Sequence, residues 1–193
     1  HQHKKAALDT GGAVRIGRSL ALALASSGYD IALHYNSSVD AAAETMAAIT
    51  AKNVGCTLIS ADLAQPEAAN QVMDMAREAY PHLRLLLNSA SGYRSGKIAE
   101  TTVETFDSMM AVNLRAPFFL TQAFARSQGS GHIINILDNK VAFNQNDYAA
   151  YVLSKKAFAE FTRMAAVEFA PSIRVNGVAP GIVLPAESRS RNY

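Results

Sequence analysis

Short apolar runs alternate with longer amphipathic stretches along most of the chain. Residues 6–8, 31–34, 56–59, 83–87, 132–137 and 173–178 form the runs and read as strands. Residues 16–26, 39–51, 66–79, 103–126 and 148–169 lie between them and read as helices. Strict alternation implies βαβ units and a parallel sheet covered by helices on both faces. Strands buried on both sides are continuously apolar instead of alternating, as these are. Gly28 follows the first helix, where a left-handed C-cap is expected. Pro66 suits the first turn of the third helix, and Asn146 or Asp147 the cap of the fifth.

No repeat, low-complexity tract or linker interrupts the pattern, so residues 1–193 are expected to form one doubly wound α/β domain. Beyond the last strand come Ala179-Pro180-Gly181, an apolar 182–184 and a polar end at 187–193. A closing helix and an edge strand are absent from this pattern. A fragment, or a chain given short of its C-terminal part, is therefore expected. Asp9 is a local misfit: it stands at the end of a central strand, where a buried carboxylate is costly without partners.

Composition narrows the functional classes. Apolar residues make up 49% of the chain and charged ones 18%, as in soluble globular proteins. The net charge of +2 is small and evenly spread, which argues against nucleic acid or an anionic membrane as partner. No apolar run reaches the length of a membrane span, and the N-terminal residues run straight into a strand, so no signal peptide is expected. Cys56 is the single cysteine; a small core residue in a reduced, cytoplasmic setting is the expectation. No metal site is expected.

Two motifs carry chemistry. Thr10-Gly11-Gly12-Ala13-Val14-Arg15-Ile16-Gly17 lies between a strand and a helix. Glycines permit a tight turn and close backbone approach, and the helix N-terminus offers free N–H groups to a pyrophosphate. Tyr151 and Lys155 are four apart on a helix and share a face. An ammonium beside a phenol is expected to lower its pKa towards a range useful for proton transfer.

Together these motifs resemble the short-chain dehydrogenase/reductase family. The resemblance runs from Lys5 to about Gly181 and adds Asp62-Leu63, Asn88-Ser89-Ala90-Ser91, Asn113, Arg174-Val175-Asn176 and Pro180-Gly181 in order. It implies a Rossmann-type sheet with the cofactor at the switch point between the first and fourth strands. It implies Tyr151 as proton donor, Lys155 on the nicotinamide ribose, and Asn113 supporting a water linked to Lys155. Asp62 and Leu63 would meet the adenine, Asn88 and Ala90 would line the cleft, and Gly11, Ile16, Gly17, Pro180 and Gly181 would meet the cofactor. A homotetramer is implied as well. Taken singly, Asp62 is a capped turn and Asn113 a mid-helix kink.

One departure from the family pattern is informative. Thirteen residues before Tyr151, where the family has a serine, stands Asp138. An acid there resembles the pteridine reductase subgroup, as do Arg15 in place of a glycine, His34-Tyr35-Asn36-Ser37 after the second strand, and Tyr93. The subgroup places Arg15, Ser91, Tyr93, Asp138 and Tyr151 around a pterin, with Tyr93 stacking on it. An acid whose pKa is raised by burial would serve there as donor or anchor. Residues 35–38 hold no acid for a ribose 2′-hydroxyl, so Tyr35, Asn36, Ser37 and Arg15 are expected to favour NADPH. The leading expectation is NADPH-dependent reduction of a dihydropterin. The alternatives are a reductase of a carbonyl or enoyl substrate, and a non-catalytic nucleotide-binding scaffold.

Overall fold

The computed structural model describes residues 5–183. The strands are β1 (Lys5–Thr10), β2 (Tyr29–Tyr35), β3 (Cys56–Ser60), β4 (Leu83–Asn88), β5 (Gly131–Ile136) and β6 (Ile173–Val178). The helices are α1 (Arg15–Ser26), α2 (Val39–Thr50), α3 (Ala68–Ala79), α4 (Val103–Met110), α5 (Ala116–Gln128) and α6 (Ala149–Phe169). The strands form one sheet in the order β3-β2-β1-β4-β5-β6, with every pairing parallel. The chain winds outward from β1 in both directions, so the connections that leave the paired C-terminal ends of β1 and β4 run to opposite faces of the sheet and open a crevice between them. That crevice is where ligands settle in open parallel sheets.

Side-chain alternation along the strands divides the core. Leu8, Leu86 and Ile133 pack with Val72 and Met73 of α3 and with Leu120 and Phe124 of α5. Ala7, Ile31 and Leu33 face the other way, against Ala21 and Ala25 of α1 and Ile49 of α2. Full burial of side chains such as Leu8 and Phe124 contributes roughly 1.5–3 kcal/mol apiece. No helix among the described residues is long and apolar enough to cross a membrane.

Several boundaries differ from the sequence expectation. Helix α3 begins at Ala68, so Pro66 lies in the turn before it, where the Ala68 N–H donates to the Gln65 carbonyl. The expected helix 103–126 is divided by a π-helical turn, Ala111–Arg115, which carries Asn113. Such wide turns are frequent at functional sites. Neither Asn146 nor Asp147 caps α6. The N-cap is Tyr148 with no side-chain bond, and the Ala149 N–H donates to the Gly96 carbonyl at 2.9 Å instead. A neighbouring backbone segment thus supplies the acceptor that a capping side chain would have given. Gly28 does adopt the left-handed conformation just after α1, with φ of 82°. The apolar 182–184 is described only as far as Val183, and the polar end 187–193 lies outside the described residues.

Asp9 sits inside β1, fully buried, with neither carboxylate oxygen hydrogen-bonded. Burial drives its pKa well above the ordinary carboxylate value. A carboxyl raised in the folded state supports folding below the unfolded pKa, and that support is lost as pH rises through the folded pKa. Replacing Asp9 with Val should therefore stabilise the protein at pH 7, by about 1–3 kcal/mol, the usual penalty of a buried unpaired polar group. The gain should shrink in acid. Urea unfolding at two pH values checks this, and a variant no more stable than the parent at pH 7 would contradict it.

Candidate active site

The crevice is built first from the end of β1. Thr10 Oγ1 donates to the Leu87 carbonyl at 3.3 Å and accepts from the Ser89 and Ala90 N–H groups at 3.1 and 3.2 Å. One hydroxyl thus ties the glycine turn to the loop after β4. Gly11 has φ of 71°, and a Cβ on it would lie 2.9 Å from the Ala90 Cα. A Cβ on Gly17 would lie 2.2 Å from the Gly11 carbonyl oxygen. Neither position admits a side chain, so α1 starts against bare backbone. Its N-cap residue, Val14, offers no side-chain acceptor to the first N–H groups. A concave, side-chain-free turn at a helix N-terminus fits a dinucleotide pyrophosphate. Arg15 holds φ of 51°, a conformation that favours glycine, at the position where the family has one.

His34 is the residue that sequence reasoning undervalued. Its Nδ1 accepts from the Gly11 N–H at 3.1 Å, so its Nε2 carries the proton and donates to the Ala61 carbonyl at 3.0 Å. Burial lowers its pKa, which holds the ring in this neutral form. The ring therefore braces the glycine turn against the β3–α3 connection. In that connection Asp62 accepts from the Ala64 N–H and the Gln65 side chain, and Leu63 is buried in the core. The capped turn accounts for the bonds Asp62 makes. Tyr35, Asn36 and Ser37 follow at the end of β2, and the last two are exposed.

A buried polar chain crosses beneath the crevice. Asn88 donates to Asn135 Oδ1 at 2.9 Å, and Asn135 donates to Thr162 Oγ1 at 2.9 Å. Asn135, an amide within the apolar run 132–137, was the visible sequence signal of this chain. Asn88 Oδ1 remains a buried acceptor with no hydrogen bond.

The chemical centre lies at the end of β5 and the start of α6. Tyr151 Oη donates to Asp138 Oδ2 at 2.6 Å, a short charge-assisted bond. Asp138 Oδ1 accepts from the Lys140 backbone N–H at 2.8 Å, which orients the carboxylate and caps a 3-10 turn, Asn139–Ala142. The Asn139 N–H donates to the Pro180 carbonyl, which brings Pro180 and Gly181 alongside. Lys155 Nζ donates to the Ile136 carbonyl at 2.9 Å and lies 6.0 Å from the Tyr151 ring centre. Burial lowers its pKa to about 8.

Tyr151 departs from expectation. Its pKa is raised, first by burial, then by the hydrogen bond to Asp138 and the charge of that carboxylate. The ammonium of Lys155 does not dominate, because it faces a backbone carbonyl and the carboxylate stands closer. The phenol is thus held in its protonated, proton-donating form.

Asn113, in the π-helical turn, is tied to two other segments. Its Oδ1 accepts from the Gly92 N–H at 2.7 Å, and its Nδ2 donates to the Gly92 carbonyl and to Ser154 Oγ, each at 3.0 Å. Ser91 Oγ approaches the same Oδ1 at 3.3 Å. Ser154 in turn donates to the Tyr151 carbonyl at 2.7 Å. The Asn113 side chain thus clamps the loop after β4 to the first turns of α6. Tyr93 extends from that loop. Its ring stacks on Tyr148 and meets Tyr151 edge-on, both at 4.7 Å between centres, and 52% of it stays exposed.

The family model for short chain dehydrogenase matches residues 5–192. Among curated relatives, an uncharacterised oxidoreductase of Mycobacterium tuberculosis is 33% identical over 186 residues, covering 93% of this chain and 70% of the relative. A 3-oxoacyl-[acyl-carrier-protein] reductase of Staphylococcus epidermidis is 32% identical over 184 residues, covering 93% and 75%. Among solved structures, FolM alternative dihydrofolate reductase 1 of Brucella canis, complexed with NADP, superposes with a TM-score of 0.90 at 31% identity, covering 98% of this chain and 76% of that one. The same reductase of Brucella suis, also with NADP, gives 0.88 at 31% identity, covering 94% and 76%. The match extends over the whole described sheet, the glycine turn and the Tyr151 helix alike, and the chain belongs to the short-chain dehydrogenase/reductase family.

Proposed function

We propose that this chain reduces a pterin, from the dihydro to the tetrahydro form, with NADPH. The observation that carries the reading is the 2.6 Å contact between Tyr151 Oη and Asp138 Oδ2. A carboxyl group occupies the place where the family has serine, in direct contact with the proton donor. Carbonyl reduction asks for one hydrogen bond to the substrate oxygen. A pterin ring asks for more, since its amino and ring N–H groups need an acceptor and its reduced ring nitrogen needs a proton. The two NADP-complexed FolM reductases support the same substrate class and the same cofactor.

NADPH, when bound, supplies the hydride. The chain's own residues do the rest. Gly11, Ile16, Gly17 and the N-terminus of α1 hold the pyrophosphate. Arg15, Tyr35, Asn36 and Ser37 surround the 2′-phosphate, where no carboxylate repels it. Asp62, Leu63, Asn88, Ala90, Pro180 and Gly181 line the cleft. Lys155 holds the nicotinamide ribose. Asp138 anchors the ring edge, Tyr93 covers the pterin, Ser91 borders it, and Tyr151 delivers the proton. Asn113 keeps the Tyr93 loop and α6 in register.

A second reading, reduction of a 3-oxoacyl or other carbonyl compound, is favoured by the staphylococcal relatives. We further propose a homotetrameric assembly in the cytoplasm. The exposed strip of Phe118 and Phe119 on α5 and Met164 on α6 supports the assembly. The lone, half-buried Cys56, its thiol pushed up to about 12 by burial, supports the reduced compartment.

Titration with NADPH and NADH, followed by cofactor oxidation with a dihydropterin, a 3-oxoacyl thioester and an enoyl thioester, tests the proposal. Tighter NADPH binding and saturable turnover of the pterin are expected, from a preparation that sediments as a tetramer. Equal NADH affinity would remove the cofactor assignment. Turnover of the thioesters alone would replace the pterin by a carbonyl or enoyl substrate.

A further inference from the structure

Lys140 has no part in that scheme, yet it stands at the mouth of the site. Its Nζ donates to Tyr93 Oη at 3.0 Å. It lies 4.9, 5.0 and 5.7 Å from the ring centres of Tyr93, Tyr148 and Tyr151. The lysine is fixed at its other end too, because its backbone N–H is held by Asp138 Oδ1 at 2.8 Å. Aromatic faces attract the ammonium without neutralising it. Among the described residues no carboxylate forms an ion pair with it. An ammonium has three N–H donors, and the Tyr93 hydroxyl takes one. Two donors and the positive charge therefore remain, 5.7 Å from the ring centre of the proton donor.

We propose that Lys140 selects substrates carrying an anionic group, a carboxylate or a phosphate, beside the ring or carbonyl that is reduced. This deepens the reductase reading and rests on it for a substrate at Tyr151. Asp138 and Lys140 divide the work: the carboxylate meets donors on the reacting ring, and the ammonium meets the charge that extends from it. The three tyrosines hold the ammonium in place, so little side-chain freedom is lost on binding.

The test uses the NADP+-loaded enzyme and matched ligand pairs. One pair is a pterin with a neutral hydroxyalkyl side chain and a pterin with a carboxylate-bearing glutamyl side chain. The other is a neutral N-acetylcysteamine 3-oxoacyl thioester and the corresponding coenzyme A thioester, which carries phosphate. Dissociation constants are measured for all four ligands with the parent, Lys140→Met and Lys140→Arg. The parent should prefer the charged member of at least one pair. Lys140→Met should reduce that preference about tenfold or more, the scale of a lost charge-assisted hydrogen bond. Lys140→Arg should restore most of it, and the preference in the parent should weaken at high salt. The pair that responds tells carboxylate from phosphate. No charged-over-neutral preference in the parent, or one that Lys140→Met leaves within twofold, overturns the proposal. A preference confined to the thioester pair would sustain Lys140 as the anchor while removing the pterin reading.

Discussion

Replacing Tyr151 with Phe should lower turnover by about two orders of magnitude or more while NADPH still binds with near-parent affinity, the scale expected of a lost general acid. The phenyl ring keeps the buried volume of Tyr151 and its edge contact with Tyr93. What disappears is the hydroxyl, which lies 2.6 Å from Asp138 and is held protonated by burial and by that carboxylate. On the proposed reading the cofactor is held by the glycine turn, Lys155 and the β2 end, none of which the substitution alters. The paired measurement of NADPH affinity and single-turnover rate therefore separates proton transfer from binding. Near-normal turnover would assign the proton to another group, with Asp138 the nearest acid.

Asp138→Ser should reduce pterin turnover sharply, again about a hundredfold or more, and leave NADPH affinity within a few-fold. Serine retains a cap for the 3-10 turn, because its hydroxyl can still accept from the Lys140 N–H. It cannot reproduce a carboxylate that accepts from Tyr151 and Lys140 through separate oxygens and has lone pairs left for a ring N–H. Carbonyl substrates, which ask for one hydrogen bond, should suffer less. Kinetics with one pterin and one carbonyl substrate decide the point. If Asp138→Ser reduces the pterin as well as the parent does, the pterin assignment loses its main support and the carbonyl reading takes its place.

Local pattern determined much of this protein. Continuous apolar runs of strand length, separated by helix-length amphipathic stretches, already demand a parallel sheet with two covered faces. The left-handed turn at Gly28 and the shared face of Tyr151 and Lys155 follow from backbone geometry alone. The glycine turn at 10–17 is legible for the same reason, since a turn between strand and helix needs few residues to specify it. Tertiary structure decided the partners. Gly11 meets Ala90, and Gly92 meets Asn113 and through it Ser154, because sheet register and the π-helical turn bring distant segments together. His34 became a brace for the glycine turn only when β2 was laid beside β1. The charge state of the site was equally hidden. The i, i+4 spacing suggested that Lys155 would lower the pKa of Tyr151. Folding buried the phenol, set a carboxylate against it and turned the ammonium to the Ile136 carbonyl, so its pKa rises. Asp9 was visible as a misfit, but only packing on both sides of β1 shows that no donor reaches it. Spacing along a helix or strand is a property of the chain. Solvent exclusion and long-range hydrogen bonding are properties of the folded whole, and they settle which groups carry charge and which carry protons.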